Sequence, residues 1–124
     1  MSDNQVKIEA FIRAWSRLDA GELADYFEEE GVYHNIPASP VVGRENIRQF
    51  IAGFIKPWTS TEWVISNILT EGDLVMVERL DKTRTAAGDV DLPCVGVFVM
   101  KGEKIAVWRD YFDMNTYMKA FSRK

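Results

Sequence analysis

The chain has 124 residues, 47% hydrophobic and 27% charged, which predicts one globular domain that buries about two-thirds of the surface its unfolded form exposes. Its formal charge of −4, from 15 basic and 19 acidic residues, argues against a nucleic-acid or anionic-membrane surface, since both reward clustered Lys and Arg. One His and one Cys exclude an internal disulfide and leave too few ligands for a Cys/His zinc site, so the expected chemistry uses carboxylates, Tyr, Arg and amides, with no metal or other cofactor.

The polar start, MSDNQVKIEAF, has no apolar signal core, and no apolar run approaches the roughly 18 residues of a membrane span, so a cytoplasmic protein is expected. Ser2, Asp3 and Asn4 are candidate caps for a first helix carrying Ile8, Phe11, Ile12, Trp15 and Leu18 at helical spacing. Asp19-Ala20-Gly21-Glu22 breaks that helix and can cap a second, with Leu23, Tyr26 and Phe27, that ends at Gly31 after a solvated Glu28-Glu29-Glu30 end. Residues 32–36 read as a short strand stopped by Pro37 and Pro40. A third helix carries Ile47, Phe50, Ile51 and Phe54, and Pro57 terminates it.

Beyond it the pattern changes. Residues 62–70, 74–86, 90–100 and 104–112 are rich in Val, Ile, Thr and aromatics, with turn signals at 71–73, 88–89 and 102–103. They predict a four-stranded antiparallel meander, followed by a short helix with Met114, Tyr117, Met118 and Phe121, capped by Asp113. The fold class is α+β: a curved antiparallel sheet packed against three N-terminal helices, with a short C-terminal helix, in a single domain over residues 1–124. Strand 94–100 is apolar on both faces, which predicts cover on both sides, by a second copy in a homodimer or by the terminal helix.

Three strands carry polar groups within apolar surroundings. Side chains at i and i+2 share a face, so Arg79 and Asp81 follow Val75 and Val77, Tyr33 lies with Asn35, and Asp110 falls between Trp108 and Phe112. A three-residue loop at 71–73 would align Trp63 and Ile65 with Asp81 and Arg79. Strict two-residue turns at 88–89 and 102–103 would instead put Asp81 and Asp110 on opposite faces, so a shared site needs an odd loop or a bulge. Taken singly, Arg79 and Asp81 suit an ordinary cross-strand ion pair, Tyr33 and Asn35 a structural hydrogen bond, His34 a surface or interface position and Cys94 a core filler.

Together, Tyr33-His34-Asn35, Glu78-Arg79-Leu80-Asp81 and Trp108-Arg109-Asp110-Tyr111-Phe112-Asp113 resemble the limonene epoxide hydrolase family, in order over nearly the whole chain. The resemblance implies a cone-shaped α+β fold, shared with ketosteroid isomerase, scytalone dehydratase and polyketide cyclases, a homodimer, and a deep, mostly apolar pocket. It implies cofactor-independent addition of water to a small apolar epoxide, giving a vicinal diol without a covalent intermediate. Asp110 would be the general base on a water held also by Tyr33 and Asn35, Asp81 the general acid, and Arg79 the group between them. Trp63, Ile65, Val75, Val77, Phe98, Trp108 and Phe112 are the expected pocket lining. Alternatives within the fold are an isomerase or polyketide cyclase using one Asp as base, or a non-catalytic small-molecule binding module.

Overall fold

The computed structural model describes residues 3–119 and 121; the candidate cap Ser2 lies outside the described residues. Helix α1, Asp3–Ala14, is prolonged by one 3-10 turn, Trp15–Arg17, and buries Ile8, Phe11, Ile12 and Trp15 as their spacing predicts. Asp3 and Asn4 fall inside its first turn, and Asn4 ties that turn to the sheet by donating to the Gly72 carbonyl at 3.1 Å. The left-handed Leu18 (φ 51°) follows the 3-10 turn, and Asp19 caps α2, Ala20–Ala24, its carboxylate accepting from the Glu22 N–H at 3.1 Å.

The next segment corrects the sequence reading. Tyr26 and Phe27 do not extend α2, and Glu28-Glu29-Glu30 is not a helix end; strand β1 runs Phe27–Asn35. Parallel pairing with the last strand supplies backbone partners there, beginning at Phe27 opposite Ile105, and this outweighs local helix preference. Gly31 lies within a register shift rather than stopping a helix: a Cβ on it would come within 3.1–3.2 Å of Glu28 O, Ile105 O and Phe27 Cβ. A two-residue strand β2, Val41–Val42, pairs with β1, and α3, Arg44–Phe54, follows.

The meander is β3 (Trp58–Glu71), β4 (Leu74–Thr85), β5 (Asp89–Lys101) and β6 (Lys104–Tyr111), with β3 beginning four residues earlier than its composition indicates. Helix α4, Met114–Met118, follows the sheet, capped by Asp113, which accepts from the Thr116 N–H at 3.1 Å. Strand order is β2-β1-β6-β5-β4-β3, so the antiparallel meander is extended at β6 by the parallel β1 into a mixed sheet. Helices α1 and α3 pack against one face. The opposite face leaves Leu74, Met76 and Tyr111 exposed beside the half-buried Val95, Val97 and Val99.

Register decides which side chains meet. The turn at 102–103 is a strict two-residue connection, closed by Lys101 opposite Lys104, with Gly102 at φ 61°. Left uninterrupted, it would pair Asp110 with Val95. Between the pairs Met100–Ile105 and Val99–Val107, however, Ala106 has no partner on β5, and this bulge moves Asp110 opposite Gly96. The β4–β5 connection is residues 86–88 rather than a two-residue turn at 88–89, and its last pair, Arg84 with Asp89, preserves the same parity. The single extra residue in β6 therefore turns Asp110 to the inner face. On β3 a second bulge at Ser66, with a two-residue turn at 72–73, sets Trp63 opposite Asp81 and Ile65 opposite Arg79, the pairs a three-residue loop would have given.

Candidate active site

The inner face of β4 reads Val75, Val77, Arg79, Asp81, Thr83, Thr85, every one buried. Arg79 is 2% exposed, Asp81 5% and Asp110 4%, so all three charged groups have left water. Such groups are tolerated only when paired and hydrogen-bonded, and these are. Arg79 Nε and Nη2 donate to the two Asp81 oxygens at 2.8 and 3.1 Å; Nη1 and Nη2 donate to the two Asp110 oxygens at 2.8 and 2.6 Å. One guanidinium thus forks onto both carboxylates, and its planar set of donors suits this better than a Lys ammonium would. Its carbon lies 4.3 Å from the Trp63 ring centroid and 5.6 Å from that of Trp108, which adds cation–π attraction.

Gly96 makes room for this fork. It pairs with both Val77 and Asp110, and a Cβ there would lie 2.9 Å from Arg79 Nη1, 2.9 Å from Trp108 Nε1 and 3.0 Å from Phe98 Cε1. Strand β1 brings Tyr33 opposite Trp108 and Asn35 opposite Asp110; the Tyr33 and Trp108 rings stack at 4.3 Å and 3°. His34, on the alternate face, is half-buried with Nε2 3.0 Å from the Ala38 carbonyl oxygen.

The electrostatics of the cluster act on Asp81 and its neighbours. Burial is the largest influence on Asp81 and raises its pKa from 3.8 to about 6; Arg79 pulls it down and Asp110 pushes it up. Burial alone would lower the Arg79 pKa, but Asp110 and Asp81 more than offset this and raise it, so the guanidinium stays charged. Burial, and then the Asp110 charge, raises the Tyr33 phenol well above its ordinary range, with Asn35 acting in the opposite direction, so Tyr33 is neutral. Cys94, opposite Arg79 on β5, donates its thiol to Asp81 Oδ2 at 3.5 Å; burial pushes that thiol up, and it stays protonated. Asp81, Cys94 and Asp110 could offer metal ligands within 4.8 Å of one another, but Arg79 already bonds all four carboxylate oxygens and supplies the cation.

Beside this cluster is a cavity reached by Tyr33, Asn35, Asp81 and Asp110. It leaves about 20 Å³ for the centre of a water-sized sphere, enough for one water held by several polar partners. Of the expected lining, Trp63 and Phe112 border it. Val75, Val77, Phe98 and Trp108 are fully buried elsewhere, and Ile65 packs on that core; the Phe11 ring of α1 meets Phe98 and Trp108 at 5.9 and 5.2 Å. The reason is direction along the strands: helix α1 fills the Val75 end of β4, and the cavity lies beyond Asp81. Its remaining wall comes from Thr83, Val90 and Leu92 of the sheet together with Phe54, Trp58 and Tyr117. Thr83 was within reach of the two-residue periodicity that identifies Arg79 and Asp81, and Gly96 within reach as an isolated strand glycine; Tyr117 carries no such local signal.

The limonene-1,2-epoxide hydrolase catalytic domain family matches residues 2–123 of this chain. The epoxide hydrolase EphG of Mycobacterium tuberculosis (strain ATCC 25618 / H37Rv) is 27% identical over 116 residues, covering 94% of this chain and 77% of that protein. A solved M. tuberculosis epoxide hydrolase similar to the limonene enzyme superposes with TM-score 0.82 at 25% identity, covering 95% of this chain and 88% of that one. At 14% identity, an NTF2-like protein of unknown function from Burkholderia pseudomallei K96243 reaches TM-score 0.88 over 99% of this chain and 100% of its own, a likeness of fold alone.

Proposed function

From the membership of this chain in the limonene-1,2-epoxide hydrolase family, we propose that it adds water to an epoxide by one-step general acid and base catalysis, giving a vicinal diol. The observation that carries this reading is the Arg79 fork, which holds two buried carboxylates at the wall of one cavity. Opening an epoxide needs a proton for the departing oxygen and a nucleophile at carbon. Asp81, raised to about 6, donates its proton to the epoxide oxygen as that C–O bond breaks. Asp110 takes a proton from a water that Tyr33 and Asn35 also hold, and the water oxygen bonds to the ring carbon. Each turnover leaves the proton on Asp110, and one proton passes back to Asp81 to reset the pair. General acid and general base each contribute typically ~10²–10⁴-fold in rate. A same-fold isomerase needs a single base, for which a guanidinium shared by two acids is surplus.

The substrate class is a small, largely apolar epoxide, and its entry requires the half-buried Phe54 and Phe112 to part, because the cavity as it stands holds about one water. A homodimer is part of the same proposal: α4 turns Tyr117 toward Phe54 and Trp58 on the cavity side, leaving Leu74, Met76 and Tyr111 on the outer sheet face for a second copy. The test is a panel of terpene, cycloalkene and fatty-acid epoxides assayed for diols. Diol from at least one of them, lost in Asp110→Asn, is expected; no diol from any sinks the reading.

A further inference from the structure

Thr83 and Tyr117 take no part in the water addition proposed above, yet both line the cavity, and they are only 3% and 8% exposed. Their hydrogen bonds leave capacity for a ligand. An indole N–H can donate but never accept, so the Trp63 N–H donates to Thr61 Oγ1 at 3.0 Å. Thr61 has one proton to give, and both Thr83 Oγ1 at 2.7 Å and the Lys82 carbonyl at 3.3 Å are within its reach, so either threonine hydroxyl can donate to the other. When Thr61 donates to Lys82, Thr83 donates to Thr61; when Thr61 donates to Thr83, the Thr83 proton is free to turn to a ligand. Also lining the cavity, the Tyr117 hydroxyl accepts from the Trp58 N–H at 3.1 Å, which leaves the phenolic proton without an acceptor among the described residues. Thr85, the next residue on this face, is different. Its hydroxyl donates to Gly88 O at 2.7 Å and accepts from the Ala87 and Gly88 N–H groups, so the turn occupies it fully.

Beyond the Tyr33, Asn35, Asp81 and Asp110 cluster, the cavity wall therefore carries Tyr117 as an O–H donor and Thr83 as a hydroxyl that can turn its proton to a ligand while accepting from Thr61. A buried donor without an acceptor is costly, and an oxygen on a ligand would complete the Tyr117 chain and could accept from Thr83 as well. We propose that Thr83 and Tyr117 form a polar subsite for a neutral oxygen acceptor on the substrate, so that the preferred epoxide carries a ketone, ester or alcohol oxygen rather than being a pure hydrocarbon oxide. The inference rests on the epoxide reading above. Thr83 is two residues beyond Asp81 on one strand face, which places the acceptor roughly 7 Å from the epoxide oxygen. A carboxylate tail is disfavoured, because the cluster already sets two acids against one guanidinium.

The experiment compares two epoxides of one carbon skeleton, the first with a ketone about 7 Å from the epoxide oxygen, the second with a methylene in its place. The wild type should favour the ketone by about tenfold in kcat/KM. Thr83→Val and Tyr117→Phe should each shrink that ratio severalfold, mainly through KM for the ketone, and Thr83→Ser should preserve it. Using both positions keeps the test open should one variant fold poorly. Equal rates on the two epoxides, or a ratio unmoved by both Thr83→Val and Tyr117→Phe, would overturn the subsite and leave the hydrolase standing. Diol from neither epoxide, together with none from the wider panel, would remove the epoxide reading and the subsite together.

Discussion

Replacing Asp81 with Asn should change how the stability of the fold depends on pH, by an amount the site geometry sets. Asp81 and Asp110 share one guanidinium at four contacts of 2.6 to 3.1 Å, so the cluster carries one negative charge in excess when both acids ionise. Burial resists that charge and is the main reason the Asp81 pKa rises from 3.8 to about 6. A shift of roughly 2 pKa units corresponds to about 3 kcal/mol. The folded pKa is raised, so the contribution favours the fold fully below about pH 4 and is lost as pH rises through about 6. Most of it, about 2 kcal/mol, is lost between pH 4.5 and 7.5. The Asp81→Asn chain has no proton to lose at this position and should lack that slope. Urea unfolding of both chains at both pH values gives a double difference in which the intrinsic cost of the amide and the titration of other groups cancel. With m near 1–3 kcal/mol/M, the expected wild-type midpoint shift from this group is of order 1 M. A double difference near zero, or one showing that the wild type gains stability on ionising Asp81, would refute the reasoning that burial outweighs Arg79.

The same shift predicts that the rate of diol formation falls as pH rises through about 6, because the donor form of Asp81 disappears; a rate rising through that range contradicts Asp81 as the acid. Gly96→Ala should displace Arg79 Nη1 or the Trp108 indole, each 2.9 Å from the new methyl, lowering kcat at least ~10-fold and costing about 1–3 kcal/mol in urea unfolding. Retention of full activity would show that the strands can spread without disturbing the fork. Deleting Ala106 should remove the bulge while leaving Trp108 opposite Phe98 and Asp110 opposite Gly96, so diol formation and the buried tryptophan emission should both be kept; loss of activity with a red-shifted emission would mean that the site needs the bulge itself and not only the register it sets.

The helices were legible because their apolar residues repeat at helical spacing, and Asp19 and Asp113 announce the caps they form. The meander was legible from β-rich runs between turn signals. The start of β1 was not, since Glu28-Glu29-Glu30 has no local strand preference and takes its conformation from pairing with β6, about 77 residues away in sequence. Strand parity placed Arg79 with Asp81 and Tyr33 with Asn35, but could not bring Asp110 to them. That depends on one unpaired alanine within a run, Lys104–Tyr111, whose composition gives no sign of a bulge. Only Trp63 and Phe112 of the seven expected lining residues border the cavity, for a related reason: alternation identifies the inner face, but not which end of it α1 fills.

The direct test of one-step addition between Asp81 and Asp110 is a single turnover in water enriched in oxygen-18, with enzyme in excess over epoxide. One labelled oxygen should enter the diol, and the recovered protein should gain no mass at the peptides holding Asp81 and Asp110. Unlabelled diol from the first turnover, with label accumulating in either carboxylate, would mean that the carboxylate attacks carbon itself and would contradict the assignment of the pair as acid and base.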